Sequence, residues 1–122
     1  MSGPADPPLP DLWRAFAATH GIVLLIGWWM RPEVAAPSAA SFSWLLLGLT
    51  PVVTAVWATA PRWLSPDKAA DPRGRALARW VCAETVGLFG LAVLVYGGPA
   101  WLGTALVGWG LVLVAAAPPE EA

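Results

Sequence analysis

The chain has 122 residues, room for one domain. Charged residues make up only 12% and hydrophobic residues 57%, against roughly 25% charged in an average soluble domain, and a soluble chain this small exposes too much surface to cover with so few charges. A soluble globule and a disordered chain are both argued against. The net charge of −1 argues against nucleic-acid binding, which needs a basic patch, and a single cysteine excludes an internal disulfide or a thiolate metal site.

In chain order, residues 1–11 hold four prolines and two aspartates without a basic residue, so they predict a flexible tail rather than the charged head of a signal peptide. An apolar span follows over 12–30, broken only by Arg14 and His20. A short link over 31–40 leads to a second span at 41–60, which has no charge and carries Pro51 near its centre. The longest loop, 61–79, holds Arg62, Lys68, Arg73, Arg75 and Arg79, tempered by Asp67 and Asp71. A third span over 80–97 has Glu84 as its only ionisable group besides Cys82 and Tyr96. Gly97-Gly98-Pro99 then turns into a charge-free fourth span at 100–117, and residues 118–122 form a second polar tail.

A hydrocarbon core about 30 Å thick takes about 17 to 25 helical residues, and continuous apolar runs fit helices rather than barrel strands. The expected fold is an all-α polytopic integral membrane protein, with four transmembrane helices in two antiparallel hairpins. Lys and Arg concentrate on the cytoplasmic side of a membrane. With loop 61–79 inside, Arg14 joins its five basic residues there and only Arg31 lies outside, so both termini are expected in the cytoplasm. The setting this implies is a bacterial inner membrane.

Indole rings favour the water–lipid boundary. In this topology Trp13, Trp57, Trp63 and Trp80 fall at the inner boundary, and Trp28, Trp29, Trp44 and Trp101 at the outer one. Trp109 alone lies mid-span. Small residues four apart, Ala83 with Gly87 and Thr104 with Gly108, predict close packing of spans three and four. Pro51 removes a hydrogen bond to the Leu47 carbonyl and predicts a kink, with Thr50 and Thr54 placed to take up the freed groups.

Glu84 is the most informative residue, because a carboxylate at membrane depth is costly. It lies five residues past Arg79, roughly 7 Å along the helix, and His20 lies six past Arg14, roughly 9 Å. Both groups thus enter from the same side to nearly the same depth. A Glu84–His20 contact follows, either pinning the helices together or relaying a proton. The plainer alternative is that Glu84 reaches an arginine or the headgroups while His20 makes a packing contact. Cys82 reads as a small buried hydrophobe. No phosphate loop, catalytic triad or two-histidine metal spacing is present, so neither an enzyme nor a metal site is expected.

The string Ala83-Glu84-Thr85-Val86-Gly87-Leu88-Phe89-Gly90-Leu91-Ala92 resembles the carboxylate helix of the ATP synthase c-ring proteolipid. That resemblance implies an ion-binding role for Glu84. His20, then Trp28-Trp29 and Arg31-Pro32, faintly resembles a bacterial light-harvesting polypeptide, which implies His20 as a pigment ligand; otherwise no cofactor is expected. With almost no water-exposed domain and few polar groups inside the membrane, the chain is expected to be a non-catalytic accessory subunit. Its partners would be lipid and the larger subunits of a respiratory or photosynthetic complex. The alternative is a small proton- or ion-coupled transporter, a homo-oligomer using Glu84 with His20.

Overall fold

Every regular element of the computed structural model is a helix, among the described residues 8–119 (backbone alone at Lys68). In chain order these are α1 (Leu9–Trp29), α2 (Ala39–Ala58), α3 (Ala60–Trp63), α4 (Pro66–Ala70), α5 (Pro72–Tyr96) and α6 (Ala100–Ala115). Three of them, α1, α2 and α5, are long and apolar enough to cross a membrane. The fourth apolar helix, α6, has 16 residues, about 24 Å of length at 1.5 Å per residue.

Several ends differ from the hydropathy pattern, each for a local reason. Residues 9–11 belong to α1 rather than to the expected tail, with Pro10 and Asp11 in its first turn, where a missing N–H and an acidic group are both tolerated. Residues 1–7 of that tail, and residues 120–122 of the C-terminal one, lie outside the described residues. Loop 61–79 is largely helical. It contains most of α3, all of α4 and the first two turns of α5, which starts eight residues before the expected span. Asp71 accepts a hydrogen bond from the Arg73 N–H and Pro72 takes the first helical position, a strong start signal with no apolar residue in it. The far end of α5 closes on Gly97 at φ 83°, where the Gly97 N–H bonds to Leu94 O and the Gly98 N–H to Val93 O. Such a left-handed close suits glycine.

The helix α5 is the hub. It packs on α6 along most of its length, while α1 and α2 each lie against the α5/α6 pair and scarcely touch one another. Consecutive helices α1 and α2 are therefore not a packed pair: α1 seats His20 against Gly87 and Gly110, while α2 packs Leu46 against Val93, Leu102 and Leu106. Gly90 and Gly103 let α5 and α6 approach to backbone contact: a Cβ on Gly90 would stand 2.6 Å from the Gly103 oxygen. Two apolar clusters fill the pair's ends, one around Trp80, Val86 and Val114, the other around Leu46, Val93 and Leu102. Arg31 ties the end of α1 to the α5–α6 turn by donating to Gly98 O at 2.9 Å.

Candidate functional site

His20 stands near the middle of α1 and Glu84 at the midpoint of α5, and the structure brings them together. The His20 ring enters the groove between α5 and α6 and is 1% exposed. Two glycines open the space: a Cβ on Gly87 would lie 2.9 Å from the ring, and one on Gly110 2.7 Å from Nε2. Nδ1 lies 2.8 Å from Phe16 O and Nε2 3.2 Å from Ala83 O. Glu84 Oε2 stands 3.6 Å from Nδ1, an ion-pair rather than a hydrogen-bond distance.

Both ring nitrogens thus face backbone carbonyls, which only accept. A neutral imidazole carries one N–H and leaves the other contact lone pair against lone pair, whereas the imidazolium donates at both. The ring is thus clasped between two carbonyls, with a Glu84 oxygen beside Nδ1. Oε2 of Glu84 is buried and takes no hydrogen bond among the described residues, while the side chain as a whole is 22% exposed. Neither nitrogen is turned outward as a ligand for a pigment metal. Among the described residues no group of three or more His, Cys, Asp or Glu is placed to hold a metal ion.

Two clefts lie elsewhere on the molecule, and neither is lined by His20 or Glu84. One, about 240 Å³, is walled by Pro72, Arg75, Ala76 and Arg79 of α5 and by residues 116–118 after α6. The other, about 460 Å³ and open, is lined by Thr50, Pro51, Thr54, Ala55 and Ala58 of α2 and by Trp109.

Several indoles anchor helix to helix. Trp13 donates to Val114 O at 2.8 Å, Trp28 to Thr104 Oγ1 at 3.2 Å, and Trp109 to Thr54 Oγ1 at 3.0 Å. Trp63 caps its own neighbourhood through Val56 O, and Trp57 lies under the Arg79 guanidinium, 5.4 Å from the ring centre. Trp29, Trp44 and Trp101 are exposed. Trp80 is fully buried within the chain, set against Phe16 and donating to Ala117 O at 2.8 Å. Its indole fills the wedge where α1, α5 and α6 meet, so it serves packing first.

Two further expectations are corrected. Thr104 and Gly108 do not line the α5/α6 seam: Gly108 has open space where a Cβ would stand, and Gly103, Val107 and Gly110 take that place. The threonines flanking Pro51 in α2 take carbonyls other than that of Leu47. Thr50 donates to Leu46 O and Thr54 to Thr50 O, both at 2.9 Å. Cys82 is buried, as its reading as a small hydrophobe requires. The glycine socket around His20 and the Arg79–Trp57 stack were missed. The i, i+4, i+7 spacing of Ala83, Gly87 and Gly90 was the available signal for the first, and the second joins residues 22 apart with no local pattern. No protein-family model, curated protein or solved structure matches this chain.

Proposed function

We propose that the chain is a four-span protein of the bacterial inner membrane, with both termini cytoplasmic, acting as a non-catalytic accessory subunit of a larger membrane complex. The carrying observation is how the buried ionisable pair is spent. Both His20 nitrogens are engaged by backbone carbonyls within a glycine-walled socket, and neither of the two clefts described above is lined by Glu84 or His20. A polar pair held in this way fixes the register of α1 on α5 and α6, the best-attested use of a buried polar contact. Extraction in mild detergent, followed by a native gel and mass spectrometry of the band, tests the role. The accessory reading expects this chain at fixed stoichiometry beside larger subunits; migration alone or as a small homo-oligomer sinks it.

One observation favours a second reading, proton- or ion-coupled transport by a homo-oligomer. Glu84 keeps a buried oxygen without a hydrogen bond while part of its side chain reaches the surface of the chain. A carboxylate so placed is open to a neighbouring copy. Under this reading Glu84→Gln leaves assembly intact and abolishes pH-driven uptake in proteoliposomes. Uptake absent from the unmodified protein rejects it.

A further inference from the structure

The cleft at the start of α5 carries two arginines. Its α5 wall presents Arg75 and Arg79 one turn apart, and its other wall is the chain leaving α6 at Ala116, Ala117 and Pro118. The cleft offers about 240 Å³, room for several waters and so for a phosphate group. Arg79 gives its Nε–H to Trp57 O at 3.3 Å and lays its plane over the Trp57 ring. No carboxylate of the described residues lies within 4 Å of Arg79. Arg75 is positioned from the opposite side by donating to Ala69 O. The rival attraction, the C-terminal carbonyls of α6, is blunted because Ala117 O already accepts from Trp80.

Arg79 immediately precedes the apolar stretch of α5, the depth at which lipid phosphates lie. One turn deeper than Ala116 on the same face of α6, Val112 is half exposed, a surface for an acyl chain. We infer that Arg79 and Arg75 form a headgroup site for an anionic phospholipid, bound through its phosphodiester at the end of the α5/α6 pair. A planar guanidinium suits this ligand, since it offers two parallel N–H donors to two phosphate oxygens. The depth of the site rests on the proposed membrane topology; the accessory role is not needed for it.

The test begins with membrane fractionation and continues with native mass spectrometry of the detergent-purified full chain, titrated with phosphatidylglycerol, phosphatidylcholine or inorganic phosphate. The expected result is one retained phosphatidylglycerol, bound at least tenfold more tightly than phosphatidylcholine and not displaced by millimolar phosphate. Arg79→Gln should weaken it at least tenfold. Ala116→Glu, an exposed position that leaves α5 untouched, should do the same by placing a carboxylate at the mouth. Arg14→Gln, a cation outside the cleft, should bind as the unmodified chain does. Equal binding of the two lipids, or unchanged binding in both cleft variants, overturns the site. Full displacement by inorganic phosphate overturns lipid as its source. A chain absent from the membrane fraction overturns the topology instead, so the two failures are distinguishable.

Discussion

At the residue scale the His20 socket is defined by what is missing from it. A methyl group on Gly87 or Gly110 would stand inside contact distance of the imidazole, and on Gly110 also 2.8 Å from Ala83 O. The ring cannot yield without losing a carbonyl contact. Gly87→Ala and Gly110→Ala should therefore each destabilise the protein by about 1–3 kcal/mol, the usual cost of overpacking. Gly108→Ala and Gly21→Ala, where nothing lies within 4 Å, should stay within about 0.5 kcal/mol of the parent. Reversible SDS unfolding followed by circular dichroism compares the four; equal effects would mean that the glycines serve no socket. The pairing itself is open to a double-mutant cycle. His20→Ala alone should cost about 2–4 kcal/mol, because it leaves a void and removes the polar partner of Glu84. The coupling with Glu84→Gln should be on the order of 1 kcal/mol. Additive single effects would show that the 3.6 Å approach carries no energy. Sequence made the pair legible, because each residue is the lone polar ionisable group deep in its helix. The glycines that admit the ring were legible only as a small-residue spacing on α5, since nothing in the local string says which face of α5 meets α1.

At the scale of elements, hydropathy located the apolar helices but not their ends. The first two turns of α5 are charged and read as loop, although Asp71-Pro72 is a capping signal independent of apolarity. The seam partners were legible on α5 and misassigned on α6. Thr104 and Gly108 have the right spacing, yet helix rotation turns Gly103 and Gly110 inward instead. The face of α6 that carries Trp109 meets α2, and there one hydroxyl does two tasks. Thr54 donates to Thr50 O, within the turn spanned by Pro51, and accepts from the Trp109 indole. Thr54→Val preserves shape and removes both bonds. It should cost roughly 0.6–1.7 kcal/mol, the range found for hydrogen bonds between membrane helices. Trp109→Phe removes only the interhelical bond and should recover part of that cost in the same background. If Thr54→Val is silent, α2 is held to α6 by packing alone.

For the whole molecule the decisive quantity is the length of α6. Its 16 residues give about 24 Å, below the roughly 30 Å of an average hydrocarbon core. Composition does not limit it, for the helix carries no charge. Its packing argues for a crossing. Gly103 meets Leu94 and Gly90 near one end of α5, Gly110 meets Ala83 and Gly87 at its middle, and Ala117 accepts from Trp80 nearer the charged end. The helix thus returns along the apolar part of α5, and the two share the same thickness. A short span is accommodated by local bilayer thinning at fractions of a kcal/mol per Å, a small penalty beside the burial of Leu102, Leu106 and Leu113. Four crossings are then expected, which puts both termini on one side; three crossings would put them on opposite sides. Reporter fusions at each end separate the cases, using a fluorescent protein active only in the cytoplasm and a phosphatase active only outside it. Fluorescence without phosphatase activity at both ends supports four spans with the Arg-bearing α3–α5 connection inside. Phosphatase activity at the C-terminus alone would leave α6 lying along the surface, and its charge-free sequence would then need a partner subunit to cover it.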